Sequence, residues 1–119
     1  MCIVVNKYGV VLRNWKNQDV EDYAALVSDP EVMRYIRDGS TREHETAVVE
    51  IQRFRQEIAN RGWSRWALTV PETGEFIGYI GFADTDMGID LGGRTKKKFW
   101  NTAYPYIGFF LAMQYGVNL

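Results

Sequence analysis

Apolar residues cluster in the middle of this chain in a pattern that predicts a pair of strands. Residues 74–84 form an apolar run rich in β-branched and aromatic side chains, which is typical of a buried central strand. Residues 64–70 predict a second strand just before it. The connection 71–74 has proline early and glycine late, as hairpin turns do, so we expect an antiparallel pair.

Two glycines, Gly78 and Gly81, interrupt the central run. Glycine weakens an isolated strand because it has no side chain to pack. Their presence in so apolar a run indicates that another backbone or a ligand approaches the strand closely at these positions.

The residues before the hairpin show the spacing of helices. After a first strand predicted at 10–15, apolar spacing predicts a helix that Asn17 or Asp19 caps. Asp29 followed by Pro30 predicts a second, short helix, because an aspartate cap and an early proline are typical helix starts. The apolar face of the first helix consists of Val20, Tyr23, Ala24 and Val27.

A longer amphipathic stripe predicts a third helix. Ser40 and Glu43 have the spacing of a capping box at its start. The helix is expected to run to about Asn60, and Gly62 is its expected C-terminal stop. Its buried stripe consists of Ala47, Val48, Ile51, Phe54 and Ile58.

The segment after the hairpin gives weaker signals. Apolar residues alternate with glycine or aspartate in 87–92, which permits a short strand. The basic run 94–98 is interpreted as a solvated loop rather than a phosphate site. Residues 106–115 are apolar almost all round, so they predict either a buried helix that begins at Pro105 or a strand.

Composition bounds the class of protein. The 119 residues, 46% of them apolar, predict one domain spanning 1–119 with a single core. A net charge of -1 favours neither nucleic-acid binding nor a membrane surface. The sequence has one cysteine, Cys2, which excludes an internal disulfide and is interpreted as incidental. It also has a single histidine, so a Cys/His zinc cluster is excluded and no metal is predicted. The N-terminal apolar run has no basic leader, and we therefore expect a cytoplasmic protein.

Four segments occur together in an order found in one enzyme family: Val11–Trp15, Asp29–Ile36, Gly62–Ala67 and Gly74–Gly81. The series resembles the acetyl-CoA-dependent GNAT N-acetyltransferases, and within them the RimJ/RimL-type branch. The resemblance is good over residues 10–84 and weaker over 85–119. It implies an α/β (α+β) fold with a mixed, mainly antiparallel sheet flanked by helices, whose C-terminal part is incomplete.

The same branch has a loop of the form Trp-Gly-x-Gly-Tyr-Ala that opens a helix and holds the pyrophosphate of the cofactor. Small residues suit such a loop because backbone amides at a helix N-terminus must approach the phosphates. The matching positions here are Trp100, Asn101, Thr102, Ala103 and Tyr104, followed by proline. Both aromatic positions are kept, whereas both glycines are replaced and the proline removes a further amide donor. With the end of the sequence at position 119, this implies a truncated or degenerate member of the family.

The resemblance implies transfer of an acetyl group from acetyl-CoA, as acyl-donor cosubstrate, to a primary amine of a protein N-terminus or a small molecule. The alternative is a non-catalytic remnant that acts as a binding or interaction module, which the replaced glycines and the early end favour. Nucleic-acid binding through 94–98 is disfavoured by the slightly acidic chain.

No catalytic side chain is assigned, because the implied oxyanion donor is a backbone amide of the strand after the hairpin. Glu75, Tyr79, Asp84 and Tyr104 are candidates for proton transfer. Each has a simpler structural explanation that we favour, as an edge charge, a core residue, a strand-end cap and a packing residue respectively. His44, in the first turn of the third helix, is expected to be exposed.

Five large side chains are candidates to line an acceptor cleft, with Trp15, Met33, Tyr35 and Trp66 as the assigned set and Trp63 beside them. Aromatic side chains at such spacings more often belong to the core. An open sheet edge and an uncovered apolar face predict a homodimer, or a C-terminal segment folded back over the sheet. The residues expected to be covered in this way are Phe109, Phe110, Leu111 and Met113.

Overall fold

The computed structural model describes residues 3–34 and 39–117. In this part of the chain, five strands form one antiparallel sheet in the order β1-β2-β3-β4-β5, with helices on both faces. The elements are β1 Ile3–Lys7, β2 Val10–Arg13, α1 Asp19–Val27, α2 Pro30–Met33, α3 His44–Arg61, β3 Arg65–Thr69, β4 Phe76–Thr85, β5 Gly88–Thr95, a 3₁₀ turn Lys97–Phe99, and α4 Tyr104–Val117. The predicted α/β class, with its mainly antiparallel sheet and flanking helices, is confirmed.

The central hairpin is formed by β3 and β4 as predicted, with Trp66 opposite Ile80 and Gly74 at φ +75° in the turn. The close approach predicted at its glycines is also present. A Cβ on Gly78 would collide with the Arg94 carbonyl oxygen, and one on Gly81 with the Ser64 carbonyl oxygen. Both glycines therefore face neighbouring backbone of the sheet.

The helix starts before the hairpin were predicted in part. Asp29 caps α2, since its Oδ1 accepts a hydrogen bond from the Glu31 amide at 2.9 Å, and Pro30 is the first residue of the helix. The caps predicted for α1 are wrong: the N-cap position is Gln18, and neither Asn17 nor Asp19 caps the helix through its side chain. Asp19 instead accepts two hydrogen bonds from the buried Arg13 guanidinium.

Helix α3 ends as predicted and starts later than predicted. Gly62 adopts φ +87° and its amide binds the Ile58 carbonyl, so it is the C-cap. The capping box is wrong, because the helix begins at His44 and Glu43 occupies the N-cap position without a side-chain cap. The start lies one helical turn beyond Ser40, too far for that hydroxyl to satisfy the first amides of the helix.

Two strands extend the sheet beyond the sequence prediction. Strand β1 precedes the predicted first strand and joins it through Tyr8 and Gly9, both at positive φ, as two-residue hairpin turns require. Strand β5 continues to Thr95, so the interpretation of Arg94 as part of a solvated loop is wrong. Eight consecutive pairs join β4 to β5, and this ladder supplies the pairing that the alternating residues alone left uncertain.

Apolar side chains fill both faces of the sheet. On one face, α1 and α3 cover a cluster built on Trp15, Tyr23, Phe54 and Tyr79. On the other face, α4 covers a cluster that includes Trp66, Leu68, Ile80 and Leu111. The segment after Pro105 is thus a helix packed on the sheet, one of the two outcomes that its apolar pattern allowed. None of the described helices is both long enough and apolar enough to cross a membrane.

Candidate functional site

A cavity of about 480 Å³ lies along the outer edge of β5, between α2 and the start of α4. We call it the edge cavity; its walls include Glu31, Val32, Gly93, Thr95, Trp100 and Phe109. Strand β5 is the last strand of the described sheet, so only β4 pairs with it. An unpaired strand edge presents backbone donors and acceptors to any extended ligand that lies beside it.

The hydrogen-bond pattern shows which groups of β5 face this edge. The Lys96 amide donates to the Ile77 carbonyl at 2.9 Å, and Lys96 directly follows the strand. Backbone groups alternate along an antiparallel strand, so those of Gly93 and Thr95 point away from β4. Two side chains donate hydrogen bonds to the carbonyl oxygens of these residues. Arg94 Nη1 donates to the Gly93 carbonyl at 2.6 Å, and Trp100 Nε1 donates to the Thr95 carbonyl at 2.9 Å.

The loop between β5 and α4 contains two amides, of Asn101 and Ala103, that are available to a ligand. The amides of Phe99, Trp100, Thr102 and Tyr104 are used in hydrogen bonds within the loop. In the described structure, the amides of Asn101 and Ala103 donate no hydrogen bond. Their positions match the two glycines of the loop that the sequence resemblance implies, and both amides are unused among the described residues.

Three lysines of this loop form ion pairs with residues of α1, α2 and the connection between β3 and β4. Lys97 contacts Glu31 at 2.9 Å, a hydrogen bond that raises the pKa of the lysine. Lys98 contacts Glu75 at 2.6 Å, and this hydrogen bond lowers the pKa of the Glu75 carboxyl. Lys96 lies 3.8 Å from Asp22. These lysines join the 3₁₀ turn to the rest of the molecule.

Among the predicted cofactor residues, Trp100 lines the edge cavity directly. Asn101 and Ala103 are exposed, and the Thr102 hydroxyl donates to the Phe99 carbonyl at 2.6 Å. Tyr104 is half-buried and packs edge-on against Phe99, with ring centroids 5.5 Å apart. The segment therefore forms a short turn that ends where α4 begins, and its role in cofactor binding remains a prediction.

A second cavity, of about 640 Å³, lies on the face of the sheet that α1 and α3 cover only in part. We call it the face cavity; it lies between α3, with Glu50 and Glu57, and the β4–β5 ladder, with Tyr79, Asp90 and Arg94. Gly93 and Arg94 line both cavities. Strand β5 therefore forms the wall between them.

A polar network closes one end of the face cavity. Arg42 Nη1 lies 3.1 and 3.0 Å from the two oxygens of Glu50, and the Tyr23 hydroxyl donates to Glu50 at 2.9 Å. Burial raises the pKa of Tyr23 well above its ordinary value, and the nearby Tyr79 and Glu50 act in the same direction. The Tyr23 phenol is therefore neutral at physiological pH and serves as a hydrogen-bond donor.

The four candidates for proton transfer do not meet in one place. Tyr79 and Asp84 line the face cavity, whereas Glu75 is at the far end of the β3–β4 hairpin and Tyr104 begins α4. Asp84 pairs with Arg61, as a strand-end charge would. Tyr79 is 7% exposed and belongs to the core.

His44 lies outside both cavities. It is more than half exposed and contacts Glu21 at 2.8 Å.

The residues predicted to bind the acceptor are mostly core residues on opposite sides of the sheet. Trp15 and Met33 are each 1% exposed in the cluster under α1 and α3, and Trp66 is fully buried under α4. These three side chains consequently do not line one open cleft. Tyr35 lies outside the described residues, as does Cys2.

The sequence prediction missed the two residues that the cavities share, Gly93 and Arg94. Both were assigned to weakly patterned sequence beyond the hairpin. The alternation of apolar residues with glycine or aspartate in 87–92 was the available signal. Extending the strand predicted from it by three residues, to position 95, would have included Gly93 and Arg94.

Solved structures share this fold. The acetyltransferase (GNAT family) from Bacillus anthracis matches with a TM-score of 0.77 and 19% identity, over 99% of this chain and 67% of that one. The acetyltransferase from Agrobacterium tumefaciens str. C58 matches with a TM-score of 0.80 and 18% identity, over 97% of this chain and 68% of that one. At these identities the likeness concerns the fold.

Sequence comparison points to the same family. The chain is 27% identical over 112 residues to a protein described as uncharacterized N-acetyltransferase YoaA of Bacillus subtilis (strain 168). The match covers 92% of this chain and 63% of the length of YoaA. The family model described as acetyltransferase (GNAT) domain matches residues 10–118. With that model covering nearly all of its length, the chain belongs to the GNAT acetyltransferase family.

Proposed function

We propose that this chain takes part in the transfer of an acetyl group from acetyl-CoA to a primary amine. The observation that carries the proposal is the edge cavity, in which the unpaired edge of β5 meets the start of α4. The carbonyl groups of an extended pantetheine arm can accept hydrogen bonds from the outward amides of Gly93 and Thr95, whose own carbonyls are bonded to Arg94 and Trp100. The free amides of Asn101 and Ala103 are then available to its phosphates.

The acceptor amine would approach from the face cavity. Because Gly93 and Arg94 line both cavities, a thioester at this point of β5 would be within reach of both sides. The neutral amine nitrogen attacks the thioester carbonyl carbon and forms the carbon–nitrogen bond, and the carbon–sulfur bond breaks. The proton that the nitrogen loses is transferred to the departing thiolate, which gives the amide and free coenzyme A. A backbone amide of β5 is the proposed donor to the developing oxyanion.

The acceptor class proposed from the sequence resemblance is a protein N-terminus or a small amine, as in the RimJ/RimL-type branch. The proposed cytoplasmic location remains an expectation from the sequence. Because the chain spans 63% of the length of YoaA, the proposed reaction concerns the part of the fold described here.

A second function, binding without turnover, is favoured by a specific observation. Each of the four carboxylates around the face cavity is paired with an arginine, so none is free to act as a base. The paired carboxylates are Glu50, Glu57, Asp84 and Asp90. A module that binds acetyl-CoA or a partner without chemistry would need no such base.

Calorimetric titration with acetyl-CoA tests the donor site. The natural chain is expected to bind, and Asn101→Gly combined with Ala103→Gly is expected to bind at least as tightly, because smaller residues let the amides approach the phosphates. Glu72→Gly, in the exposed β3–β4 turn, is the matched control and should leave the affinity unchanged.

A thiol-release assay with a panel of amines then separates the two functions. Release that depends on the amine supports acetyl transfer. Binding without release for any amine supports the binding module. If neither the natural chain nor the double glycine variant binds acetyl-CoA, the acetyltransferase proposal is wrong.

A further inference from the structure

We propose that the acceptor carries an anionic group beside its amine, a carboxylate, and that Arg94 binds this group in the face cavity. The inference rests on the proposed function, in which the acceptor enters from that side. It adds a substrate class, amines with a nearby carboxylate such as amino acids and acidic peptides, and a residue that selects them.

Around the face cavity, every carboxylate has a basic partner, but two arginines have no carboxylate partner in the described residues. Glu50 pairs with Arg42 at 3.0 Å, and Asp90 with Arg65 at 3.6 Å. Glu57 and Asp84 both pair with Arg61, which approaches from outside the cavity. Every carboxylate of the wall thus has a basic partner.

Two arginines of the wall, Arg53 and Arg94, have no carboxylate partner in the described part of the chain. Arg53 is exposed on α3, with its guanidinium 5.3 Å from the centre of the Phe54 ring. Arg94 is half-buried in β5 and donates one hydrogen bond, to the Gly93 carbonyl. A guanidinium has five donors, so most of those of Arg94 remain for a ligand, and its planar fork suits a carboxylate.

The position of Arg94 favours the acceptor over the phosphates of the donor. Residues directly opposite each other in an antiparallel pair share a face of the sheet, and Arg94 is opposite Tyr79. Tyr79 belongs to the cluster under α1 and α3. The loop with the free amides precedes α4, which covers the other face. The Arg94 side chain therefore leaves β5 on the face opposite to the phosphate loop. Because Arg94 also lines the edge cavity, the test includes the binding of acetyl-CoA.

The test compares acceptors that differ by one carboxylate, such as Ala-Glu amide with Ala-Gln amide, and Ala-Ala with Ala-Ala amide. Equilibrium binding of each dipeptide is measured by NMR titration without acetyl-CoA, and KM and kcat are measured with it. Arg94→Met removes the charge, and Arg94→Lys keeps it. Arg55→Met is the control, because Arg55 is exposed on α3, donates to Asn17 at 2.9 Å and lies outside the cavity.

The natural chain is expected to prefer the carboxylate member of each pair by a factor on the order of 10 to 100, as a charge-assisted hydrogen bond would give. Arg94→Met should abolish this preference, Arg94→Lys should restore part of it, and Arg55→Met should leave it intact. Circular dichroism of each variant establishes that the fold is retained, and Arg94→Lys tests the proposal if Arg94→Met does not fold.

Three results would overturn the proposal. These are equal binding of both members of each pair by the natural chain, a preference that survives in Arg94→Met, and weaker acetyl-CoA binding by Arg94→Met with the preference unchanged. The last result would assign Arg94 to the donor phosphates. The two proposals can fail separately. If the natural chain prefers acidic dipeptides but transfers no acetyl group, and Arg94→Met loses that preference, the proposed function is wrong and this inference stands.

Discussion

Single glycines decide how closely β4 and β5 can pair. A Cβ on Gly93 would collide with the Tyr79 carbonyl oxygen and lie 2.8 Å from the Ile80 Cα, both parts of a rigid strand. A Cβ on the adjacent Gly92 would lie 3.3 Å from both the Arg65 Nη1 and the Asp90 Oδ2, each at the end of a flexible side chain. Gly93 therefore faces rigid backbone, whereas Gly92 faces the ends of flexible side chains.

This difference gives a prediction at the residue scale. Gly93→Ala should lower the free energy of unfolding by about 2–3 kcal/mol, because backbone must move to admit the methyl group. Gly92→Ala should change it by less than about 1 kcal/mol, since the ends of the Arg65 and Asp90 side chains can shift and alanine restricts the unfolded chain. Urea unfolding of both variants measures the contrast. Equal effects would show that the ladder tolerates a side chain at Gly93.

At the scale of elements, one buried ion pair fixes the connection between β2 and α1. Arg13 donates to both carboxylate oxygens of Asp19 at 2.7 and 2.8 Å, and Asp19 also accepts the Lys16 amide at 2.7 Å. The Arg13 and Asp19 side chains are 10% and 5% exposed. A carboxylate that appeared suited to cap a helix thus holds the chain at the end of a strand.

Removing the charge of Asp19 should be costly because it leaves a buried guanidinium without its counter-ion. Asp19→Asn is expected to lower the free energy of unfolding by roughly 3–5 kcal/mol. Glu21→Gln, two residues along the same helix, removes the exposed pair with His44 and should cost no more than about 1 kcal/mol. Thermal and urea unfolding monitored by circular dichroism measure both, and a small loss for Asp19→Asn would contradict the proposed importance of the pair.

The elements that local sequence specifies were the ones predicted correctly. The cap of α2 by Asp29, the left-handed Gly62 and the β3–β4 hairpin depend on neighbours in the chain. Strands β1 and β5 depend on pairing with β2 and β4, which the local hydrophobic pattern specifies weakly. In β5, three of the eight residues are glycines, so few side chains fix the pairing register. The capping box failed because Ser40 lies a turn before the helix begins.

The same distinction applies to the candidate site. The resemblance placed Trp100 at the donor side, and the structure puts it on the edge cavity. Arg94 was missed because its position depends on pairing with Tyr79, fifteen residues away in sequence. Trp15 and Trp66 were grouped by their size, whereas Trp15, in the connection after β2, and Trp66, in β3, pack on opposite faces of the sheet.

At the scale of the whole molecule, α4 presents apolar side chains on two sides. Its inner side buries Leu111 and Ala112 against the sheet, so the C-terminal segment folds back over the sheet as one of the two sequence predictions stated. A row of apolar side chains on its outer side remains exposed: Tyr106, Phe110, Met113 and Val117. These residues are spaced three or four apart, as one face of a helix requires. Tyr8, itself exposed, contacts Phe110 with ring centroids 6.4 Å apart and widens the patch.

We propose that a second copy of the chain covers this outer row, because apolar rows of this kind on a helix commonly mark protein interfaces. Sedimentation velocity over a range of concentrations should show a dimer for the natural chain and a monomer for Phe110→Glu combined with Met113→Glu, with the fold retained by circular dichroism. Val49→Glu is the matched control, since Val49 is a single apolar residue 63% exposed on α3, away from the row. It should leave the dimer intact. A natural chain that sediments as a monomer at every concentration, or a dimer that the double variant does not dissociate, would contradict the proposal.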